Sequence, residues 1–191
     1  MRRRSFLQGT ALGGVVLSLA AAGVLVSPAR GTAATNAGAD GFSFASIDGG
    51  RIELDDWRGH PVLVVNTASL CGFAGQFDDL QALHDRYGAR GLLVLAVPSD
   101  DFNQELADAQ AVKEYCAIRF DLTLAMTDIT HVRGGQAHPF YRWLATEHGF
   151  APSWNFNKVL LGPEGEVLGT WGASVNPTSA AITGQIEPLL R

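Results

Sequence analysis

The spacing of apolar residues along this chain predicts a sheet built from short and medium strands. Two alternating segments, residues 42–44 and 51–54, enclose Asp48-Gly49-Gly50 and predict an N-terminal β-hairpin. Uninterrupted apolar runs at residues 62–65 and 92–97 are typical of strands buried on both faces, and the first strand is predicted to reach Asn66. These two runs predict the core of the domain.

Helical spacing of apolar residues appears between and after the strand segments. It predicts four helices, over residues 76–87, 109–120, 139–148 and 177–190. A further hairpin, residues 159–171, turns at Gly162-Pro163-Glu164-Gly165. Strands and helices in this order predict one α/β domain with a central mixed sheet flanked by helices, in a thioredoxin-like arrangement.

The first 34 residues have the pattern of an export signal. Arg2-Arg3-Arg4 precede a small, apolar stretch over residues 11–26, and Ala33-Ala34 offer a cleavage site. Arg3-Arg4 followed by Ser-Phe-Leu is similar to the twin-arginine signal of bacteria, with an ordinary secretory signal as the rival interpretation. We therefore predict an exported, periplasmic or otherwise extracytoplasmic protein with no stable membrane anchor after cleavage. Residues 35–41 would be a flexible linker and residues 42–191 the domain.

Net charge narrows the range of partners. The whole chain carries −5, from 14 basic and 19 acidic residues, and residues 1–34 contain four arginines and no acid. Removing them leaves 10 basic residues and a net charge of −9. An acidic body without a basic stripe excludes nucleic acid as the expected partner. We predict no cofactor and no metal site.

Cys71 is the most informative residue for chemistry. It follows the first core strand and precedes the helix that begins at Gln76. At such a turn, backbone N–H groups and the helix dipole favour the thiolate, which is the nucleophilic form of cysteine. A buried structural cysteine is the alternative.

Cys116 is the second of only two cysteines, on the predicted helix 109–120. In an oxidising compartment the pair could form a static disulfide, which would stabilise the fold by about 4 kcal/mol on the chain-entropy estimate. Cys116 could also be an inert small apolar residue, or it could attack an oxidised Cys71.

Two other segments are expected near Cys71. Trp154-Asn155 precedes a core strand, and its indole and amide N–H groups could stabilise a thiolate or a polarised peroxide oxygen. Asp100 and Asp101 follow the second core strand, at the edge where Cys71 lies. Because acids beside a thiolate would raise its pKa, we expect these two to be solvated and to point away.

Four motifs together resemble those of the glutathione peroxidase family. The segment 66–73, with sequence NTASLCGF, is similar to the active-site signature, with cysteine in place of selenocysteine. Residues 76–80, 137–141 and 154–158 (QFDDL, AHPFY and WNFNK) are similar to three further signatures. The resemblance runs from about residue 42 to residue 190.

The resemblance implies a thioredoxin-like fold and the reduction of hydrogen peroxide or of organic and lipid hydroperoxides. Cys71 would be the peroxidatic residue, Trp154 and Asn155 its hydrogen-bonding partners, and Cys116 the resolving cysteine of the thioredoxin-dependent branch. The reductant would be a thioredoxin-like protein or a low-molecular-weight thiol. The short run over residues 126–152 implies a monomer, and His138 would be structural.

One departure from the family pattern concerns the site itself. The family has Pro-Cys-Asn-Gln-Phe where this chain has Pro98-Ser99-Asp100-Asp101-Phe102, so Asp101 stands where the catalytic glutamine is expected. An ionised aspartate offers no donor, although a protonated Asp101 could relay a proton. Two alternatives therefore remain: an oxidant sensor or relay with weak peroxidase activity, and a non-enzymatic domain stapled by a disulfide.

Overall fold

The computed structural model describes residues 38–191. The predicted export signal and residues 35–37 of the predicted linker lie outside the described residues. Two short antiparallel strands, β1 (Ser43–Ala45) and β2 (Arg51–Glu53), form the N-terminal hairpin, with Phe44 opposite Ile52. This hairpin was predicted from the sequence and is confirmed.

A five-stranded mixed sheet forms the centre of the domain. Its strands are β3 (Val62–Thr67), β4 (Leu93–Pro98), β5 (Ala125–Met126), β6 (Lys158–Leu161) and β7 (Val167–Trp171), in the spatial order β5-β4-β3-β6-β7. Strands β3, β4 and β5 run parallel, whereas β6 is antiparallel to β3 and to β7. The sequence did not predict β5, because two residues are too few for a periodic pattern.

Four helices accompany the sheet: α1 (Gln76–Tyr87), α2 (Ala109–Phe120), α3 (Pro139–Glu147) and α4 (Ala180–Ile186). The bounds of α1 and α2 are those predicted. Helix α4 is shorter than the predicted 177–190, and a 3₁₀ turn over Glu187–Leu189 follows it. Pro188 has no N–H to donate and therefore cannot continue an α-helix.

Each face of the sheet has its own apolar core. On one face, Leu63 and Val65 of β3 pack in a cluster with buried residues of α1, α2 and α4. On the other, Val62 and Val64 pack in a cluster with α3 and the N-terminal hairpin. Every residue of β3 and β4 is buried, as their continuous apolar runs predict. The edge of the sheet remains available for a functional site.

The start of the described chain is attached to the domain. The N–H of Ala39 donates to the carbonyl of Gly165 at 2.7 Å, and Ala39 is buried. The described part of the predicted linker, residues 38–41, thus contacts the turn between β6 and β7. Among residues 38–191, no helix has the length and apolar content needed to cross a membrane.

Candidate active site

The sheet topology brings three sequence-predicted segments to one edge. Strands β3 and β4 are parallel and in register to their ends, with Thr67 opposite Pro98. The loops that carry Cys71 and Asp101 therefore begin side by side. Because β6 runs antiparallel to β3, with Lys158 opposite Val65, the segment 154–157 enters the sheet at the same edge.

Cys71 lies in the turn between β3 and α1. Its side chain is buried, and its Sγ lies 3.5 Å from the backbone nitrogen of Phe73, which donates to it. The N–H of Cys71 itself donates to Ala68 at 3.4 Å, and the helix begins at Gln76. The turn thus places a backbone donor at the Cys71 sulfur, just before the first turn of α1.

Asn66, near the end of β3, holds the segment 154–157 in place. Its Nδ2 donates to the carbonyl of Trp154 at 3.0 Å, and its Oδ1 accepts from the backbone N–H of Asn157 at 3.1 Å. Phe156 adopts a positive φ of 60°, which few residues other than glycine favour. These contacts explain how a strained segment keeps one conformation beside the Cys71 turn.

Trp154 and Asn155 lie at this edge, but neither donates to the Cys71 sulfur in the described chain. The indole of Trp154 is 40% exposed and packs against Phe102, with ring centroids 5.3 Å apart. Asn155 is fully buried, and its Nδ2 donates to Gln104 Oε1 at 3.0 Å. The Oδ1 of Asn155 is buried without a partner among residues 38–191.

Asp101 is not the solvated carboxylate that the sequence led us to expect. Its Oδ1 lies 2.6 Å from His131 Nδ1, and its Oδ2 accepts the backbone N–H groups of Val132 at 2.6 Å and Arg133 at 3.0 Å. Partial burial raises the pKa of Asp101, but these hydrogen bonds outweigh it and leave the pKa below its ordinary value. Asp101 is therefore an ionised acceptor that anchors residues 131–133. Asp100 is exposed, as expected, and accepts from the N–H of Glu105.

Replacing Asp101 with alanine should destabilise the domain by about 1–3 kcal/mol, because two backbone donors lose their acceptor. Since the folded-state pKa lies below the ordinary 3.8, this stabilisation is present above that value and is lost as the pH falls through the folded-state pKa. Urea unfolding of wild type and D101A at pH 7 and pH 3 measures this contribution of Asp101 to the free energy of unfolding. The exposed Asp56 gives a matched control, D56A. An equal effect of both substitutions at pH 7 would contradict the anchoring role.

Sequence reasoning missed the contribution of Gln104 and Glu105. The carbonyl of Gln104 accepts the N–H of Leu70 at 2.9 Å, and Glu105 Oε1 accepts the N–H of Ser69 at 3.0 Å. Both residues thus hold the turn that carries Cys71. Burial raises the pKa of Glu105, and its Oε2 has no partner within residues 38–191.

Cys116 is a buried thiol on α2. Burial, and secondarily the charge of Glu105, raise the pKa of Cys116 to about 12, so in this conformation it is protonated. It lines a cavity of about 120 Å³ together with Met126 and Leu124. Cys71 and Cys116 are both free thiols in this structure. The described fold therefore forms without a bond between them.

Two other residues of the quoted motifs, His138 and Lys158, form contacts that support the fold. His138 accepts the N–H of Phe140 at the start of α3 and stacks on Phe44 at 4.1 Å between centroids. Burial lowers the pKa of His138, which fits the structural role expected for it. Lys158 is buried and donates to Gln76 at 2.5 Å and to the carbonyl of Val175 at 2.6 Å, which fixes the start of α1. Burial lowers its pKa to about 8.

Residues 38–191 contain no group of three or more His, Cys, Asp or Glu side chains placed to hold a metal ion. The groups at this edge that can take part in chemistry are the thiol of Cys71 and the amide and carboxylate groups near it.

Comparison with known proteins identifies the family. Residues 40–145 match the family model described as glutathione peroxidase. The chain is also 36% identical, over 170 residues, to the hydroperoxy fatty acid reductase gpx1 of Synechocystis sp., covering 83% of this chain and 99% of that protein. The chain belongs to the glutathione peroxidase family. As a member of this family it is a peroxidase, an oxidoreductase that acts on hydroperoxides with a thiol reductant.

Solved structures agree with this assignment. The glutathione peroxidase domain superposes on the crystal structure of Trgpx in apo form with a TM-score of 0.61 and 27% identity, covering 78% of this chain and 96% of that one. It also superposes on a thioredoxin family thiol:disulfide interchange protein from Chlorobium tepidum, with a TM-score of 0.57 and 16% identity, covering 78% and 91%. The predicted thioredoxin-like fold is confirmed.

Proposed function

We propose that this chain is an exported thiol peroxidase in which Cys71 is the peroxidatic residue and Cys116 the resolving residue. The observation that supports it most directly is the Cys71 turn, where a backbone N–H points at a buried sulfur at the sheet edge that also carries Trp154 and Asn155. This turn belongs to the segment that matches the family.

In the first step, the Cys71 thiolate attacks the distal oxygen of the hydroperoxide. A sulfur–oxygen bond forms and the peroxide bond breaks, which leaves a sulfenic acid on Cys71 and an alkoxide that takes a proton and departs as an alcohol, or as water when the substrate is hydrogen peroxide. The side chains of Trp154 and Asn155 would orient the peroxide once it is bound. Asp101 does not supply the proton, because it is ionised and already accepts three hydrogen bonds.

In the second step, the Cys116 thiol condenses with the sulfenic acid to give a disulfide and water. Since Cys116 is buried in α2, this step requires part of the helix to unwind. Only Val112 and Cys116 of its 12 residues are buried, and the cavity beside Cys116 leaves that side incompletely packed. A local opening of this helix therefore costs few apolar contacts. A thioredoxin-like protein or a low-molecular-weight thiol then reduces the disulfide, and two thiols of the reductant become its own disulfide.

The proposed function is tested by adding hydrogen peroxide or cumene hydroperoxide to the purified chain, in an assay coupled to thioredoxin and thioredoxin reductase. We expect sustained NADPH consumption and, by mass spectrometry, a Cys71–Cys116 disulfide that appears on oxidation and disappears on reduction. A folded protein without turnover would contradict the proposal. Slow turnover, with a Cys116→Ser variant trapped on a client protein, would favour the relay alternative. A bridge that resists mild reductant would favour the stapled domain.

Export is proposed from the N-terminal residues alone, with Arg3-Arg4 as the targeting pair. In a bacterial host with a twin-arginine pathway, we expect the wild-type chain in the periplasmic fraction with its N-terminus near residue 35. Replacing both arginines with lysine should retain the protein in the cytoplasm at its full length. Export of the double variant at wild-type level would show that an ordinary secretory signal operates instead. Sizing chromatography of the mature chain tests the monomer that we also propose.

A further inference from the structure

Three exposed apolar side chains lie on the segments that meet at the Cys71 edge of the sheet. Within residues 38–191 only five large apolar side chains are exposed, and three of them are Leu70, Phe73 and Trp154, at 60%, 37% and 40%. Leu70 and Phe73 flank Cys71 closely in the chain. Trp154 precedes Asn155, which binds the side chain of Gln104, while the backbone of Gln104 binds Leu70. The three residues thus belong to connected segments, and such a gathering of exposed apolar groups marks a place where an apolar ligand is bound.

A cation lies beside this apolar surface. The guanidinium of Arg133 sits over the ring of Phe102, 5.0 Å from its centroid, and Phe102 in turn packs against Trp154 at 5.3 Å. A guanidinium above an aromatic ring is attracted to the ring and can still offer its N–H groups to a ligand. No carboxylate among residues 38–191 forms an ion pair with Arg133.

Asp101 fixes the position of this arginine. Its Oδ2 accepts the backbone N–H of Arg133 at 3.0 Å and that of Val132 at 2.6 Å, and its Oδ1 contacts the ring of His131. The carboxylate of Asp101 binds the backbone of Arg133, while Phe102, which follows Asp101 in the chain, contacts the Arg133 side chain. An arginine held at both ends loses less conformational freedom when it binds a ligand than a free surface arginine does.

We propose that Arg133 is a specificity-determining residue that binds the carboxylate of an acidic, amphiphilic hydroperoxide. The apolar chain of the substrate lies against Trp154, Leu70 and Phe73, and the peroxide group between its two ends reaches Cys71. This inference rests on the proposed function, because it assigns a substrate class to the same thiol. Arg133 forms no bond with the reacting atoms and acts through binding alone.

The test is single-turnover oxidation of the reduced protein in a stopped-flow instrument. The probes are linoleic acid hydroperoxide, its methyl ester and hydrogen peroxide, in one nonionic detergent. For the wild type we expect the free acid to oxidise Cys71 about two- to fivefold faster than the ester at low substrate concentration, which is the effect of one partly exposed ion pair. This ratio should fall towards one as salt is raised. In R133Q the ratio should be near one at every salt concentration.

The matched control is R90Q. Arg90 is also an exposed arginine near an aromatic ring, 5.9 Å from the centroid of Tyr87, but it lies after α1 at the opposite end of the sheet. This variant should keep the wild-type ratio of acid to ester. Circular dichroism of R133Q reports whether the fold is retained, and R133K should retain part of the preference because it keeps the charge but loses the paired N–H geometry.

The reductive half-reaction separates this inference from its nearest rival, in which Arg133 binds the carboxylate of a thiol reductant. Oxidised wild type and R133Q are mixed with glutathione, which is anionic, and with neutral 2-mercaptoethanol. Slower reduction of R133Q by glutathione alone, with an unchanged ratio of acid to ester in the oxidative step, would overturn the inference. Equal oxidation of wild type by acid and ester would also overturn it and leave the proposed function intact. Failure of all three peroxides to oxidise Cys71 would overturn the proposed function itself.

Discussion

Replacing Cys71 with serine is expected to abolish hydroperoxide reduction, with a loss of roughly 1000-fold or more, as is common when a nucleophile is removed. A serine hydroxyl is not ionised near neutral pH, and its oxygen cannot pass through a sulfenic acid. The N–H of Phe73, which lies 3.5 Å from the sulfur, would then face an oxygen that carries no charge. The measurement is NADPH consumption in the thioredoxin-coupled assay, at equal concentrations of folded wild type and C71S.

Stability must be followed alongside activity, because Cys71 is part of an apolar core. We expect C71S to lose about 1 kcal/mol on unfolding in urea, which is typical of a single small substitution. A suitable control in the same turn is S69A. The backbone N–H of Ser69, which binds Glu105, is retained in that variant. Wild-type turnover by C71S would show that another group reduces the peroxide, whereas a small loss of stability combined with no turnover is the result we expect.

The elements that the sequence predicted well are those whose signals are local and long enough to be periodic. Strands β3 and β4 lie in continuous apolar runs because both of their faces are covered. Helix α2 begins at the predicted residue because Asp108 caps its first turn, accepting the N–H of Ala111 at 2.9 Å. The two-residue strand β5 carries no such signal and exists only because β4 offers a parallel partner.

The sequence predicted which segments meet at this edge of the sheet, but not the hydrogen bonds that they form there. Parallel strands bring the ends of β3 and β4 together, so the proximity of the Cys71 and Asp101 loops could be inferred from chain order. The donors that hold Asp101 come from residues 131–133, about thirty positions along the chain. No local pattern connects these positions. The expectation of a solvated Asp101 was therefore wrong for a physical reason, the arrival of a distant loop.

The contacts of Asp101 also suit the position at which the family resemblance places a glutamine. A glutamine would offer both a donor and an acceptor, whereas the aspartate offers acceptors only. Residues 131–133 supply three groups that contact its two oxygens, and this arrangement suits a carboxylate. The substitution and the loop therefore fit each other. The hydrogen bond between Asn155 and Gln104 at the same edge of the sheet does not involve Asp101.

Replacing Cys116 with serine is the second change with a large expected effect, and it separates the two half-reactions. Cys71 in C116S should still be oxidised by one equivalent of peroxide, because the hydrogen bonds of Cys71 lie in the loop after β3 and not on α2. Thioredoxin-coupled turnover should fall by about 100-fold, since no thiol within the chain converts the sulfenic acid to a disulfide. Dimedone labelling followed by mass spectrometry should find the sulfenic acid on Cys71 of C116S and not on the wild type.

The proposed role of Cys116 requires the thiol to leave its conformation in the folded helix. With a pKa of about 12, the thiol in the folded helix is almost entirely protonated at neutral pH, and exposure to water would lower that pKa towards its ordinary value near 8.5. Opening α2 therefore delivers the sulfur and activates it in one event. A proline at Lys113, which lies inside the helix on the Cys116 side of its first turn, should make that opening easier and accelerate disulfide formation in single-turnover experiments. Wild-type coupled turnover by C116S would mean that the reductant attacks the sulfenic acid directly, and that Cys116 has no part in the cycle.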